Sequence, residues 1–592
     1  MVSSPPLKSL TPELLTQLKE HNEKLLFEII SANSKSKFCQ TADELSIFRN
    51  AVDSLHEDEQ GFLRNFRELV PLTVYDAYQP FVTRFLNTPC QESEVIDLFA
   101  PGFPAFIAVS SATSGKVAKL FPRYKGTFWN QAGSQKVHTY HLTYRTVLNI
   151  FRGDQDIVQK IMVTTASAGF LRMRMGWNSE QDEDRMSSMV PGESTPYAVA
   201  MVKNHPSFLL LHALFALADR SVDTLKVLFS TTLLDMFMYM ERDWSSLVDA
   251  IENGTIPELE YIEHVRDHLE RHLHANPARA AELRTIGPPS KTTITGWAKL
   301  VWPNLKHALS VASGSFSSAV PKVKHILGPD VILQTPAYAC SECVLGVMYQ
   351  PGDLNRFRVS NDVFIEYLDV NAEEVSNNLC AAWEAEPGRL YEPIITTYDG
   401  LWRYRLGDVV ELLGFAPDDG TPVVKFVERR KSVTEYLPAL VELMEYYSAV
   451  IRFDSTFVTE AQLVQSVSSA TQDTLGQVVE FTCFKDAREL PSTVGFFVEL
   501  ANEPASLGAS LYLAKQRLLD VLSDVNEIIK RMSDGGSFGM PTIRVVKPGT
   551  FAQYRKWKGE AAATGTSQVK VPVVMSDTTA QEWIMSRVEL EI

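Results

Sequence analysis

YRLGDVVELLGF, Tyr404 to Phe415, reads as a strand with a carboxylate at its threshold: Gly407-Asp408 is followed by Val409, Val410, Leu412, Leu413 and Phe415 in a mostly apolar run. Gly-Asp opens many strands because both residues tolerate irregular backbone angles. The alternative is that Asp408 holds a ligand at the point where its surroundings become buried. Working outward, VILQTPAY, VFIEYLDV, YEPIITTY and PVVKFVERR alternate with turns between 331 and 430, which predicts a mixed sheet or small barrel at the end of a large domain.

Upstream of that sheet the chain is helical. Leu14, Leu15, Leu18, Leu25, Leu26, Ile29 and Ile30 recur at helical spacing after the start signal Thr11-Pro12-Glu13, and a second helical stretch covers Thr41 to Leu69. Residues 195 to 250 read as helical and mostly buried, with His212 a satisfied core histidine. After Arg430, the strands GQVVEFTCFK, TVGFFVELA and PTIRVVKPGTF flank an amphipathic helix over 508 to 532, the size and form of a separate α/β domain. The expectation is a two-domain α/β protein, residues 1–430 and 431–592.

The 592 residues exceed what one hydrophobic core organises. A net charge of −16 repels phosphate backbones and anionic membranes, which argues against nucleic acid as the partner and favours small molecules. Six scattered cysteines read as reduced thiols in the cytoplasm. Cys340 and Cys343 form a CxxC pair with no second pair to complete a metal site, and they read as packing residues. The apolar run Phe208 to Ala218 is about half the length a bilayer requires, and the N-terminus lacks the pattern of a signal peptide. His264, His268 and His272 stand four apart, a metal-ligand spacing, but the charged residues between them read as a solvated helix.

Chemistry is carried by short segments far apart in the chain. SSATSGKVAK, Ser110 to Lys119, supplies four hydroxyls, one glycine and two lysines, a composition able to wrap phosphates. YACSECVLG, Tyr338 to Gly346, packs an aromatic, a hydroxyl and a glutamate together. Asp408 follows, and GTSQVKVP near the end brings Lys570.

The order of these segments, with TTYDGLWRYRLGDVVELLGF from Thr396 to Phe415 as the longest match, resembles the Gretchen Hagen family of acyl-acid amido synthetases within the adenylate-forming superfamily. The similarity runs over nearly the whole chain. It implies a firefly-luciferase-like architecture, with a large N-terminal domain of mixed sheets and a small barrel, and a small C-terminal α/β lid. It also implies ATP and Mg²⁺ as cofactors, with a carboxylic acid and an amine, an amino acid, as substrates.

By resemblance, Ser110, Ser111, Thr113 and Ser114 contact phosphates with Lys119 nearby, and Tyr338 packs on adenine. Ser341 and Glu342 face the α-phosphate and metal, Asp408 accepts both ribose hydroxyls, Arg429 assists near the hinge, and Lys570 arrives from the lid. Thr224, Val227 and Gly314 are the acid-pocket candidates, the first two on a segment read as helix. The chain departs from the family where Ala112 and Lys116 stand in place of glycines and where SVTEYLPALVELME follows Lys431 in place of the lysine-bearing hinge. A thioester ligase using coenzyme A and a non-catalytic binding relative are the alternative functions.

Overall fold

The computed structural model describes the chain except for residues 1–6, 8, 53–58, 111–117, 125–135, 154, 292–294, 430–449, 454–455, 471–473, 477, 489, 502–509 and 563–568. The elements below are those of the described residues.

The first helix, Pro12–Asn33, starts where the sequence signals it: Thr11 caps the Leu14 amide and proline occupies the first turn. Its apolar stripe, Leu18, Leu25, Leu26, Ile29 and Ile30, is buried with aromatic residues that follow it, among them Phe38, Phe48, Phe66 and Trp402.

That layer supports the sheet predicted from 331 to 430. Nine strands pair there, mostly antiparallel, in an order that brings Asp408–Phe415 between Pro422–Arg429 and Leu390–Thr397. One expected member belongs elsewhere. Ile332–Gln334 pairs in parallel with His307–Val311, the edge of a second sheet that also holds Thr224–Phe229 and Lys136–His138.

Here the helical reading of 195 to 250 is corrected. His205–Ala218 and Ser230–Arg242 are helices, but Thr224–Phe229 between them is a buried parallel strand. The two periods are hard to separate in a short apolar run, and a strand buried on both faces shows no alternation. A third sheet, Cys90–Gln91 with Thr146–Arg152, Asp156–Thr164, Phe106–Val109 and Leu120–Arg123, ends at the base of the serine-rich loop.

The C-terminal sheet orders Val478–Asp486, Thr493–Leu500, Thr542–Val546 and Val588–Glu591. The helix expected over 508 to 532 is two helices, Ser510–Val525 and Glu527–Asp534, because Asn526 leaves helical geometry and caps the second one.

The histidine triplet also differs from expectation. The helix is only Arg266–Glu270, and His268 and His272 both bond to Ser187 rather than to solvent. Cys340 donates its thiol to the Cys343 carbonyl, and none of the six cysteines is in a disulfide. Among the described residues no helix is long and apolar enough to cross a membrane.

Candidate nucleotide and acyl site

The stretch around Asp408 is built mostly for architecture. Asp399 pairs with buried Arg123 at 2.8 Å. Gly400 has φ +88°, and a Cβ there would lie 2.3 Å from the Phe99 carbonyl oxygen, so no other residue fits. Arg403 is fully enclosed at φ +42°, forked onto both oxygens of Glu366 at 2.8 and 2.7 Å and donating to the Arg67 and Val70 carbonyls. Arg405 forks onto Glu392 in the same way. Gly407, at φ +77°, then turns the chain so that the next residue begins the strand with its side chain free of those pairs.

That residue is Asp408, 5 % exposed. Its Oδ2 accepts the Tyr338 hydroxyl at 2.6 Å, and its Oδ1 accepts Arg429 Nε at 2.9 Å. Antiparallel register sets Asp408 directly opposite Arg429. Burial, then the adjacent carboxylate, push the Tyr338 phenol well above its usual value, so it stays a proton donor. The Asp408 charge raises the Arg429 guanidinium further. Tyr338 lies between Phe357 and Phe426, with ring centroids 5.6 and 5.7 Å away.

Several expected residues converge here. Ser341 offers its carbonyl to Arg123 at 2.9 Å. Glu342 is buried beside Leu120, Phe121, Arg123 and Asp399, and it interacts electrostatically with Arg429. Ser110 ends the strand Phe106–Val109, and its hydroxyl accepts the Lys119 amide at 3.0 Å, closing the base of the serine-rich loop. The Lys119 ammonium lies 5.1 Å from the Tyr75 ring centre, and Tyr75 itself feels the Glu342 charge. Ser111, Thr113 and Ser114, like Ala112 and Lys116, lie outside the described residues, as does the segment 430–449 that follows Arg429.

Lys570 reaches the pocket from the C-terminal segment. Its Nζ sits over two stacked rings, 5.1 Å from Phe229 and 5.3 Å from Phe316, which are themselves 4.3 Å apart. Burial and the Arg429 charge lower its ammonium pKa, while Asp408 and Glu460 oppose them. Gly314 belongs to the same wall: at φ +59°, its Cβ position is 3.4 Å from Phe426.

Thr224 and Val227 do not share a face, contrary to the helical expectation. Residues an odd number apart on a strand point to opposite sides. Thr224 is turned to Asp223 at 2.7 Å, and Val227 is in the main apolar core. The strand is irregular between Lys226 and Phe229, and Thr224 stands roughly 13 Å from Phe229 at about 3.3 Å per paired residue.

The motifs did not indicate Phe229, Phe316, Phe426, Arg123 or Glu460. Glu460 begins the helix Glu460–Ala470, which packs on Pro422–Arg429 and Gly314–Ala319. Burial lifts its carboxyl to about 7 against the pull of Arg429 and Lys570, with Asp408 and Glu428 adding to the rise. An isolated Thr-Glu at a helix start looks like any N-terminal cap in sequence. The ring pair could have been noticed as single aromatics beside motif residues, but nothing local says that they stack.

Among the described residues no cluster of three or more His, Cys, Asp or Glu is arranged to hold a metal by protein groups alone. A Mg²⁺ held by one or two carboxylates plus substrate phosphates needs no such cluster. Buried Glu342, with no hydrogen bond among the described residues, fits that role.

Comparison with known proteins identifies relatives along the whole chain. Residues 10–332 match the GH3 family N-terminal domain, 357–429 its central domain and 461–579 its C-terminal domain. A probable indole-3-acetic acid-amido synthetase, GH3.1 of Oryza sativa subsp. japonica, is 25 % identical over 88 % of this chain and 84 % of its own. The 4-substituted benzoates-glutamate ligase GH3.12 of Arabidopsis thaliana is 24 % identical over 95 % of this chain and 93 % of its own. Among solved structures, the GH3.15 acyl acid amido synthetase superposes with a TM-score of 0.74 at 20 % identity, covering 98 % of this chain and 96 % of that one. With its three family regions matched in order along a shared fold, the chain belongs to the GH3 family.

Proposed function

We infer that the chain is an ATP-dependent acyl-acid amido synthetase that activates a carboxylic acid as its adenylate and passes the acyl group to an amine, an amino acid. The observation that carries the reading is the Asp408 pocket, where Tyr338 and Glu342 of one segment meet Arg429 and Lys570 of two others.

A carboxylate is a poor electrophile at neutral pH. Its oxygen attacks the α-phosphorus of ATP and pyrophosphate departs. The amine nitrogen then attacks the acyl carbon, loses a proton, and AMP departs with the former carboxylate oxygen. Charge develops on phosphate oxygens in the first step, so fixed donors there lower the barrier.

Asp408 accepts the ribose hydroxyls. A carboxylate has about four acceptor positions, so one on each oxygen remains after Tyr338 and Arg429 are counted. Tyr338 holds the carboxylate and forms an aromatic wall for adenine with Phe426. Ser110, Ser111, Thr113, Ser114 and Ser341 donate to phosphate oxygens, with Lys119 at the mouth of the loop. Glu342 would hold Mg²⁺, which supplies charge neutralisation on the phosphates. Lys570 holds its ammonium toward the phosphates. The acid lies along the wall of Gly314, Phe316 and Phe229, with Val227 and Thr224 further along the strand. Residues 1–430 carry the ATP and acyl-acid sites and 431–592 act as the lid that brings Lys570, in a cytoplasmic enzyme, as six cysteines outside any disulfide support.

The test is to incubate the protein with ATP, Mg²⁺ and a panel of indolyl, benzoyl and fatty acids, with either amino acids or coenzyme A. Indole-3-acetic acid and 4-substituted benzoates head the panel because relatives are named for them. An N-acyl amino acid with pyrophosphate and AMP is expected. An acyl thioester as the product, or no pyrophosphate from any acid, overturns the reading.

A further inference from the structure

The most complete charged cluster outside the nucleotide pocket is buried and joins the two ends of the chain. Arg555, in the helix Thr550–Ala562, is 3 % exposed. Its Nε and Nη2 grip Asp235 at 2.6 to 3.0 Å, and its Nη1 donates to both oxygens of Glu480 at 2.8 and 2.7 Å. His205 Nε2 stands 3.8 Å behind Asp235. Burial lifts the Glu480 carboxyl to about 7. Burial alone would raise Asp235 too, but the Arg555 charge overrides it and leaves Asp235 lowered.

Each carboxylate is tied to the surroundings of Lys570. Asp235 lies on the helix Ser230–Arg242, which starts directly after Phe229, and the Ser230 hydroxyl donates to the Phe316 carbonyl at 2.6 Å. That helix therefore carries Asp235 and begins at the ring pair under the Lys570 ammonium. Glu480 lies on Val478–Asp486, where Thr482 donates to the Pro572 carbonyl at 2.7 Å and Cys483 exchanges 2.7 Å bonds with Val573 and Met575. Pro572 is two residues from Lys570. A closed circuit runs from Phe229 through Lys570, Pro572, Thr482, Glu480, Arg555 and Asp235 back to Phe229.

We propose that Arg555 is a positioning residue for Lys570: by clamping Asp235 to Glu480 it fixes the C-terminal segment so that the ammonium stays over Phe229 and Phe316 beside the Asp408 pocket. A planar guanidinium can fork onto two carboxylates at once, and a lysine ammonium cannot hold both in one geometry. The catalytic consequence rests on the reading of Lys570 as the phosphate-side cation.

Two readouts test this on Arg555→Lys, Arg555→Met, Lys570→Ala and Arg555→Met/Lys570→Ala, with thermal melting to establish that each is folded. The first is acetylation by N-hydroxysuccinimidyl acetate, quantified by mass spectrometry. Labelling of Lys570 rises at least fivefold in both Arg555 variants, while exposed Lys19 labels as before. The second is acid-dependent ATP–pyrophosphate exchange with the best acid of the panel. Its kcat falls at least tenfold in Arg555→Met with little change in the ATP KM, and the double variant is no slower than Lys570→Ala alone. If Arg555→Met does not fold, Arg555→Lys and the charge-free triple variant Asp235→Asn/Glu480→Gln/Arg555→Met serve in its place. Folded variants with unchanged Lys570 labelling overturn the proposal, and so do losses that multiply in the double variant. If Lys570→Ala leaves exchange intact while Arg555 variants still expose Lys570, the positioning stands and the catalytic reading of Lys570 fails.

Discussion

The Tyr338 hydroxyl donates to Asp408 Oδ2 at 2.6 Å, across 70 residues of sequence and from a ring set beside Phe357 and Phe426. With Arg429 on the other oxygen, the carboxylate is held rigid before any ligand arrives, so little conformational freedom is left for a ribose to remove.

Asp408→Ala is expected to weaken ATP binding by at least about 100-fold, since hydrogen bonds to a charged group contribute about 1.5–3 kcal/mol each and two hydroxyls are involved. Tyr338→Phe leaves the acceptor in place but unheld, and a smaller loss of about tenfold is expected. Isothermal calorimetry with ATP decides both. Unchanged affinity in Asp408→Ala would place the nucleotide elsewhere.

Lys570 should set the alkaline limit of adenylation. Its folded pKa lies below the ordinary lysine value because burial and Arg429 disfavour the ammonium, so activity that needs the charge is lost as pH rises through that lowered value. Lys570→Arg keeps its charge and should flatten the fall over the alkaline range below the usual lysine pKa of about 10.4. Exchange rates across that range give the answer, and superimposable profiles would remove Lys570 from the role.

Glu460 predicts a stability effect of opposite sense to that of a paired carboxylate. Its folded pKa, about 7, exceeds the unfolded value, so between the two the folded state binds more protons and stability falls as pH rises. Glu460→Gln should therefore raise the melting point at pH 8, by a gain on the order of 1–2 kcal/mol, and do nothing below the unfolded glutamate pKa of about 4.3. Melting curves at pH 4 and pH 8 separate this from a uniform packing effect.

Arg403 is part of the most recognisable stretch of the chain, yet its contacts are structural. Removing it strands Glu366 in the core, and breaking a buried pair costs about 3–5 kcal/mol. Arg403→Ala is expected to shift chemical denaturation by that amount or to prevent folding, and Glu366→Gln should soften the loss in the double variant. A mutant with wild-type stability and selective loss of ATP affinity would contradict the assignment.

These contrasts explain what sequence could disclose. Asp408 was legible because its motif is long, contiguous and rich in residues that tolerate only one environment: three glycines at positive φ, two forked arginines and a buried tryptophan. The first helix was legible because its cap and stripe are local. Thr224–Phe229 was misread because a strand buried on both faces has no alternation to display. Glu460, the Phe229–Phe316 stack and the Arg555 clamp were hidden for another reason. Each is defined by partners dozens to hundreds of residues away, and no spacing rule spans that distance.

The ammonium of Lys570 rests on two aromatic faces rather than in a cage of carboxylates, and this affects selectivity. With the acid placed as proposed, those faces also wall the cavity for its acyl group. An acid too bulky for the cavity would tilt the rings and carry the cation off its perch, so a poor substrate would be rejected through slow activation even when it binds well.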